Sequence, residues 1–329
     1  PKCIMHGAGG TLLTHLKEHR LHCDLSADDI LYFQTSCGWM MWNWLVSALA
    51  SGSAIVTYDG SPTFPEADQL WRVVAKNEVT VLGTSPTYVQ YCRDAGLTPA
   101  SSYSLPSLRA ILSTGSILFD NHFEWLYEEV KQVPIQSISG GTDIIGCFVL
   151  GNPNLPVHIG EAQCVSLGMD VRAENTSNTE GLSGDVGELT CVSPFPSRPI
   201  GFFGDEDGSG FHAAYFSVNP PYWSHGDLIR MEPTGGIRML GRCDGVLNIR
   251  GVRIGPAEIY RVLQQFDEIS AGLAVEQAHA GTAGGSRLVL LVTLNDGANL
   301  DRPLTLKIKK AIKEQASTMH VPAVIACLL

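Results

Sequence analysis

The sequence predicts an α/β protein. A large domain carries a parallel sheet flanked by helices and a small antiparallel β subdomain, and a smaller α+β C-terminal domain follows. Three observations predict this. Across residues 1–150, short runs rich in β-branched and aromatic residues alternate with helical patterns. Such alternation requires crossover connections, and therefore a parallel sheet covered by helices on both faces. Glycine, proline and aspartate become dense over 151–242, where short strand-like runs such as 186–192 and 237–240 read as antiparallel. A mixed pattern then returns over 243–329.

In order, the first part predicts a helix over 11–22 and strands over 30–35 and 54–58, separated by a helix over 42–51. A helix over 65–77 precedes a strand over 80–83, and a helix over 86–95 precedes a strand over 109–113. A helix over 120–131 leads to the last strand, 135–139. The final part predicts helices over 256–266 and 303–316 around strands over 271–277 and 287–294. Ligands of parallel α/β sheets sit beyond the carboxyl ends of the strands. Ser113-Thr114-Gly115-Ser116 and Ser139-Gly140-Gly141-Thr142-Asp143 both follow predicted strands.

The 329 residues are 44% hydrophobic and 17% charged, a composition that argues against disorder. The net charge of −11 speaks against nucleic acid and against an anionic membrane surface as partners. Nine cysteines, an odd count with no C-x-x-C, read as reduced thiols of a cytosolic, cytoplasmic protein. Oligomeric state is not readable.

Three constellations carry chemistry. The Gly140-Gly141 pair lets the backbone approach a ligand, and Thr142 and Asp143 add the hard oxygens that a phosphate and its Mg²⁺ require, although a plain turn with a helix cap has the same composition. His225-Gly226-Asp227 offers a carboxylate suited to a ribose diol. The stretch 241–260 sets three arginines and four glycines around Gly241-Arg242-Cys243-Asp244 and Gly251-Val252-Arg253-Ile254-Gly255. Arginine is a planar, permanently charged fork for phosphate and ribose oxygens.

Taken in order, the strand-glycine turn, Gly-Gly-Thr-Asp, His-Gly-Asp and Gly-Arg-x-Asp-x-x-x-Asn-x-x-Gly-x-Arg-x-Gly-x-x-Glu-Ile resemble the motif set of adenylate-forming enzymes. Gly38-Trp39-Met40-Met41-Trp42-Asn43, Tyr58-Asp59-Gly60-Ser61-Pro62, Leu155-Pro156-Val157 and Gly251-Val252-Arg253 are similar to the branch of acyl-CoA synthetases that uses acetoacetate, and the similarity runs along essentially the whole chain. The resemblance implies ATP, Mg²⁺, CoA and acetoacetate as the small molecules handled. It implies that Gly115, Ser116 and Ile117 pack against adenine, and that Thr142 and Gly141 meet the phosphate. Asp143 would hold Mg²⁺, with a shorter reach than the glutamate many relatives carry there. Asp227 and Arg242 would bind ribose. Asp244 would be the hinge between the large and small domains, Gly251 would leave room for the pantetheine arm, and Arg253 would face the α-phosphate or the acid. Relatives that use acetate carry Trp at the position of Gly140, so glycine would open the acyl pocket, with Trp39, Met40 and Met41 as walls; such volume differences discriminate by about 1–3 kcal/mol per methylene.

Pro1-Lys2 reads as the middle of a longer protein. The phosphate loop of the resembled family is expected just before it and a catalytic lysine beyond Leu329, so this chain alone is expected to have little adenylation activity. Two alternatives stay open: a synthetase for acetate, propionate or another short acid, and a non-catalytic nucleotide-binding module. His15, His19 and His22 read as a solvated helix face, 205–210 as a polar turn rather than a calcium loop, and Asn175-Thr176-Ser177 as an ordinary loop.

Overall fold

Five strands pair in parallel in the order Ala54–Val56, Ile30–Phe33, Val81–Thr84, Ala110–Ser113, Ile135–Ser137. This sheet, in a computed structural model that describes residues 2–175, 186–243, 247–249, 252–263, 265–278, 286–295 and 297–328, lies within the first of two compact units, Pro1–Cys243 and Asp244–Leu329. The expected α/β architecture with a helix-flanked parallel sheet is borne out. Side chains alternate across a strand, so the sheet builds two cores. Tyr32, Leu82, Ile111 and Ile135 point into one, against the helices Gln69–Lys76, Pro86–Asp94 and Asp120–Glu129. Leu31, Phe33, Val81, Ala110 and Leu112 point into the other, against the helix Met40–Ser47. Trp71 anchors the first core and Trp44 the second, both fully buried. Truncating either would cost about 3–5 kcal/mol.

At the amino end of the sheet, Arg109 grips Asp29 through both carboxylate oxygens, at 2.8 and 2.9 Å, and donates to the Asp24 carbonyl. Burial pushes the Asp29 carboxyl up, but the hydrogen bonds from Arg109, Thr80 and Ser26 win and lower it to about 2. The carboxyl end of the sheet is thereby left for other work.

The rest of the first unit is antiparallel. Ser139–Gly141, Gly146–Leu150 and Cys164–Val165 form one sheet, and Val171–Glu174, Val186–Cys191, Trp223–Met231 and Ile237–Arg242 form another. The strand Trp223–Met231 is missing from the sequence-based runs because glycine and charged residues interrupt its alternation. Residues 205–210 start the helix Ser209–Tyr215: the Asp205 carboxylate accepts from the Gly210 and Phe211 amides at 3.0 and 2.7 Å.

The helix Ala8–Lys17 and the π-turn Glu18–His22 correct one expectation. His15, Glu18, His19 and His22 are fully buried, whereas Leu12, Leu13 and Leu21 are exposed. For His15, Glu18 and His22 the reason is local hydrogen bonding. Glu18 accepts from the Trp44 indole and the Cys147 amide, both at 2.9 Å. His15 Nε2 meets the Ile145 carbonyl at 2.5 Å, and His22 Nδ1 meets the Gly151 carbonyl at 2.7 Å. Buried polar groups with partners are tolerated where isolated ones are not.

In the second unit, Ile269–Ala278 pairs antiparallel with Ser286–Leu294, which pairs in parallel with Val324–Cys327. The helices Pro256–Leu263 and Arg302–Gln315 cover this sheet, the latter capped by Asp301 with Pro303 in its first turn. All nine cysteines are free thiols. Among the described residues, no helix is long and apolar enough to cross a membrane.

Candidate active site

The carboxyl edge of the parallel sheet delivers the first two segments. Ala110–Ser113 runs out into the 114–117 turn, where Gly115 takes φ of 103°, a region that L side chains rarely adopt. Beside it the Ser116 hydroxyl is buried and meets no partner among the described residues. The Ile138 amide donates to the Ser113 carbonyl at 2.9 Å, which holds the start of the Ser139–Gly141 strand next to that turn.

Ser139–Gly141 folds back on Gly146–Leu150, with Gly140 opposite Cys147 and Gly141 opposite Gly146. Gly140 acquires a purely local reason here: a Cβ would stand 2.0 Å from the Gly146 carbonyl oxygen. Thr142, at the tip, is exposed, and its carbonyl accepts from His6 Nε2 at 2.9 Å. Asp143 is buried behind it.

Asp143 Oδ1 accepts from the Tyr215 hydroxyl at 2.6 Å and from the Lys2 ammonium at 2.9 Å. Burial alone would push this carboxyl up. The His225 ring, the Lys2 charge and the hydrogen bonds from Tyr215 and Lys2 together hold it well below the usual carboxylate range. The Lys2 side chain is 45% exposed, while the carboxylate it meets is buried.

The strand Trp223–Met231 supplies the other half. Trp223, His225 and Asp227 follow one another along it through an irregular stretch at Gly226, and contacts join them: the Trp223 indole N–H lies 3.4 Å from His225 Nδ1. His225 Nε2 lies 3.3 Å from the Gly140 carbonyl and 3.6 Å from Asp227. Asp227 pairs in register with Arg242 on the neighbouring strand, and the guanidinium donates to Asp227 Oδ1 at 2.7 Å. Gly226, at φ of 80°, turns its amide to the buried Glu188 carboxylate at 3.1 Å. Asp143, Gly140, His225, Asp227 and Arg242 thus form one contiguous array.

The remaining sequence-derived residues fall elsewhere. Met41 is a core residue packed among the side chains that include Ile138 and Cys147; Met40 is half-buried at the edge of that core, and Trp39 is exposed. Arg253 stands opposite Asn248 in the hairpin of Leu247–Ile249 and Val252–Ile254. Asp244 and Gly251 lie outside the described residues. Reasoning from motifs missed Tyr215, Trp223, His6 and the partnership of Lys2 with Asp143. The one available signal for Tyr215 was the i, i+4 spacing of Phe211 and Tyr215, which reads as a helix face.

Residues 1–198 match the family model described as AMP-binding enzyme. The chain belongs to the AMP-binding enzyme family. This AMP-binding chain is 44% identical over 327 residues to acetoacetyl-CoA synthetase of Xenopus tropicalis, covering 99% of the chain and 48% of that protein. It is 48% identical over 326 residues to acetoacetyl-coenzyme A synthetase of Rhizobium meliloti (strain 1021), covering 98% of the chain and 49% of that protein. Among solved structures, acetoacetyl-CoA synthetase from Streptomyces lividans superimposes with a TM-score of 0.72 at 41% identity, covering 100% of this chain and 50% of that one. The chain therefore spans about half the length of the curated relatives it matches.

Among the described residues, no group of three or more His, Cys, Asp or Glu side chains is arranged to hold a metal ion. A lone buried carboxylate already drawing a cation, the Lys2 ammonium, fits a different arrangement. Mg²⁺ is commonly held by one or two carboxylates, with water and the ligand's own phosphates completing its shell.

Proposed function

We propose that the chain is the nucleotide-handling part of an acid–thiol ligase that activates acetoacetate with ATP and passes the acyl group to CoA. In the first half-reaction a carboxylate oxygen of the acid attacks the α-phosphorus, the bond to the bridging oxygen breaks, and pyrophosphate leaves with both electrons of that bond. In the second, the CoA sulfur attacks the acyl carbon of acetoacetyl-AMP, its proton goes to solvent, and the C–O bond to AMP breaks. Asp227 and Arg242 take the ribose hydroxyls, the 115–117 turn takes the base, and Thr142 and the Gly141 backbone meet the phosphate. Asp143, its carboxyl held well below the usual carboxylate range, would hold Mg²⁺, which when bound spreads charge from the phosphoryl oxygens. Lys2, released from Asp143, would face the phosphate tail.

One observation carries the nucleotide reading: Asp143, Asp227 and Arg242, far apart in sequence, meet through Tyr215, Trp223 and His225. The choice of acetoacetate is supported by the relatives' names and not by a pocket. Titrating the chain calorimetrically with AMP and with ATP tests the first part, and kcat/KM over acetate, propionate and acetoacetate tests the second. Saturable AMP binding is expected; no binding at millimolar AMP would end the proposal. A second reading is a module that binds nucleotide without turnover. Binding with no acyl-CoA formed would select it.

A further inference from the structure

We infer that Tyr215 is a positioning residue: its hydroxyl fixes the Asp143 carboxylate for the cation that accompanies the nucleotide. The inference rests on the proposal that Asp143 holds that cation. Tyr215 is buried at the end of the helix Ser209–Tyr215, whose start is pinned by Asp205. Its ring stacks on Trp223 at 3.8 Å and 13°, and Phe202 and Phe211 close on it edge-first at 5.8 and 5.2 Å. Packing on three sides holds the ring in place, and from there its hydroxyl donates to Asp143 Oδ1 at 2.6 Å. Hydrogen bonds to a charged acceptor at this length are the strong ones.

The partner of the stack makes the arrangement more than local packing. Trp223 lies on the same strand as His225 and Asp227, and its indole N–H reaches His225 Nδ1 at 3.4 Å. A single strand therefore sets both the ribose-side carboxylate and, through the Tyr215 stack, the cation-side carboxylate. Lys2 donates to the same oxygen as Tyr215, but its ammonium lies 4.6 Å over the Tyr215 ring on a side chain 45% exposed. Between Lys2 and Tyr215, Tyr215 is the donor held by packing.

Tyr215→Phe keeps the ring and its stack and removes one buried hydroxyl. The experiment titrates α,β-methylene-ATP into the full chain by calorimetry, once with Mn²⁺ and once with EDTA. Y215F, folded by circular dichroism, is expected to lose about tenfold in Mn²⁺-dependent affinity while its affinity in EDTA stays unchanged. Trp223→Phe, which thins the stack, is expected to show a smaller loss of the same kind. Mn²⁺ dependence equal to that of the parent chain in both variants would overturn the inference. Asp143→Asn separates the two levels. If D143N keeps full Mn²⁺ dependence, the cation reading of Asp143 fails; if D143N loses it and Y215F does not, only the role of Tyr215 fails.

Discussion

At Gly140 the backbone leaves no room for a side chain. The Gly146 carbonyl oxygen stands 2.0 Å from the place a methyl group would take, so any larger residue must first part the hairpin. Gly140→Ala is therefore expected to destabilise the chain by about 1–3 kcal/mol, read as a lower urea midpoint with an unchanged slope. A midpoint equal to that of the parent chain would return the glycine to the role of opening an acyl pocket. The same scale shows what motifs can and cannot reveal. Asp143, Asp227 and Arg242 were legible because their chemistry is carried by residue type and neighbouring glycines. Tyr215 was not, because a tyrosine in an aromatic run has the composition of a core residue, and only its hydroxyl's partner, 72 positions away, distinguishes it.

Elements were legible where apolar periodicity matched burial, as in all five parallel strands, and illegible where burial was polar. The helix Ala8–Lys17 with its π-turn faces the core with histidine and glutamate and faces outward with leucine. Periodicity rules assume the reverse. Three buried histidines give this element a pH signature. His22 donates from Nδ1 to the Gly151 carbonyl and accepts at Nε2 from the Leu167 amide at 3.0 Å, so only the neutral ring satisfies both partners. Burial lowers His15 and His22, and burial together with the nearby His15 lowers His19 to about 3. The unfolded chain therefore binds protons that the folded chain refuses. Stability is full above about pH 6.5 and falls as pH drops from there toward 3, with a slope of up to about 1.4 kcal/mol per pH unit for each histidine. His19 is the sharpest case. Neither ring nitrogen makes a hydrogen bond of ordinary geometry, and the ring stands edge-on to Trp44 at 4.2 Å. His19→Phe is expected to stabilise the chain by about 1 kcal/mol at pH 7 and by more at pH 5, measured by urea unfolding at both values. A destabilised variant at pH 5 would show that the ring nitrogens have partners that matter.

For the whole molecule, the decisive fact is where the array lies relative to the division of the chain. The partners named above for Asp143, Asp227 and Arg242 all fall before Cys243, the last residue of the first unit. That unit encloses three hydrophobic cores of its own, and the second encloses a fourth. Units with separate cores can in principle fold separately. A chain ended after Cys243 is thus expected to unfold cooperatively and to bind AMP within about threefold of the full chain, a difference below about 1 kcal/mol. The base, ribose and phosphate contacts proposed above are all retained in it, whereas Arg253 is removed. Calorimetry on the shortened chain decides between two distributions of binding energy. Affinity kept means that residues after Cys243 serve the reaction and not AMP binding. A loss greater than about tenfold, roughly 1.4 kcal/mol, would mean that the nucleotide draws on groups beyond Cys243.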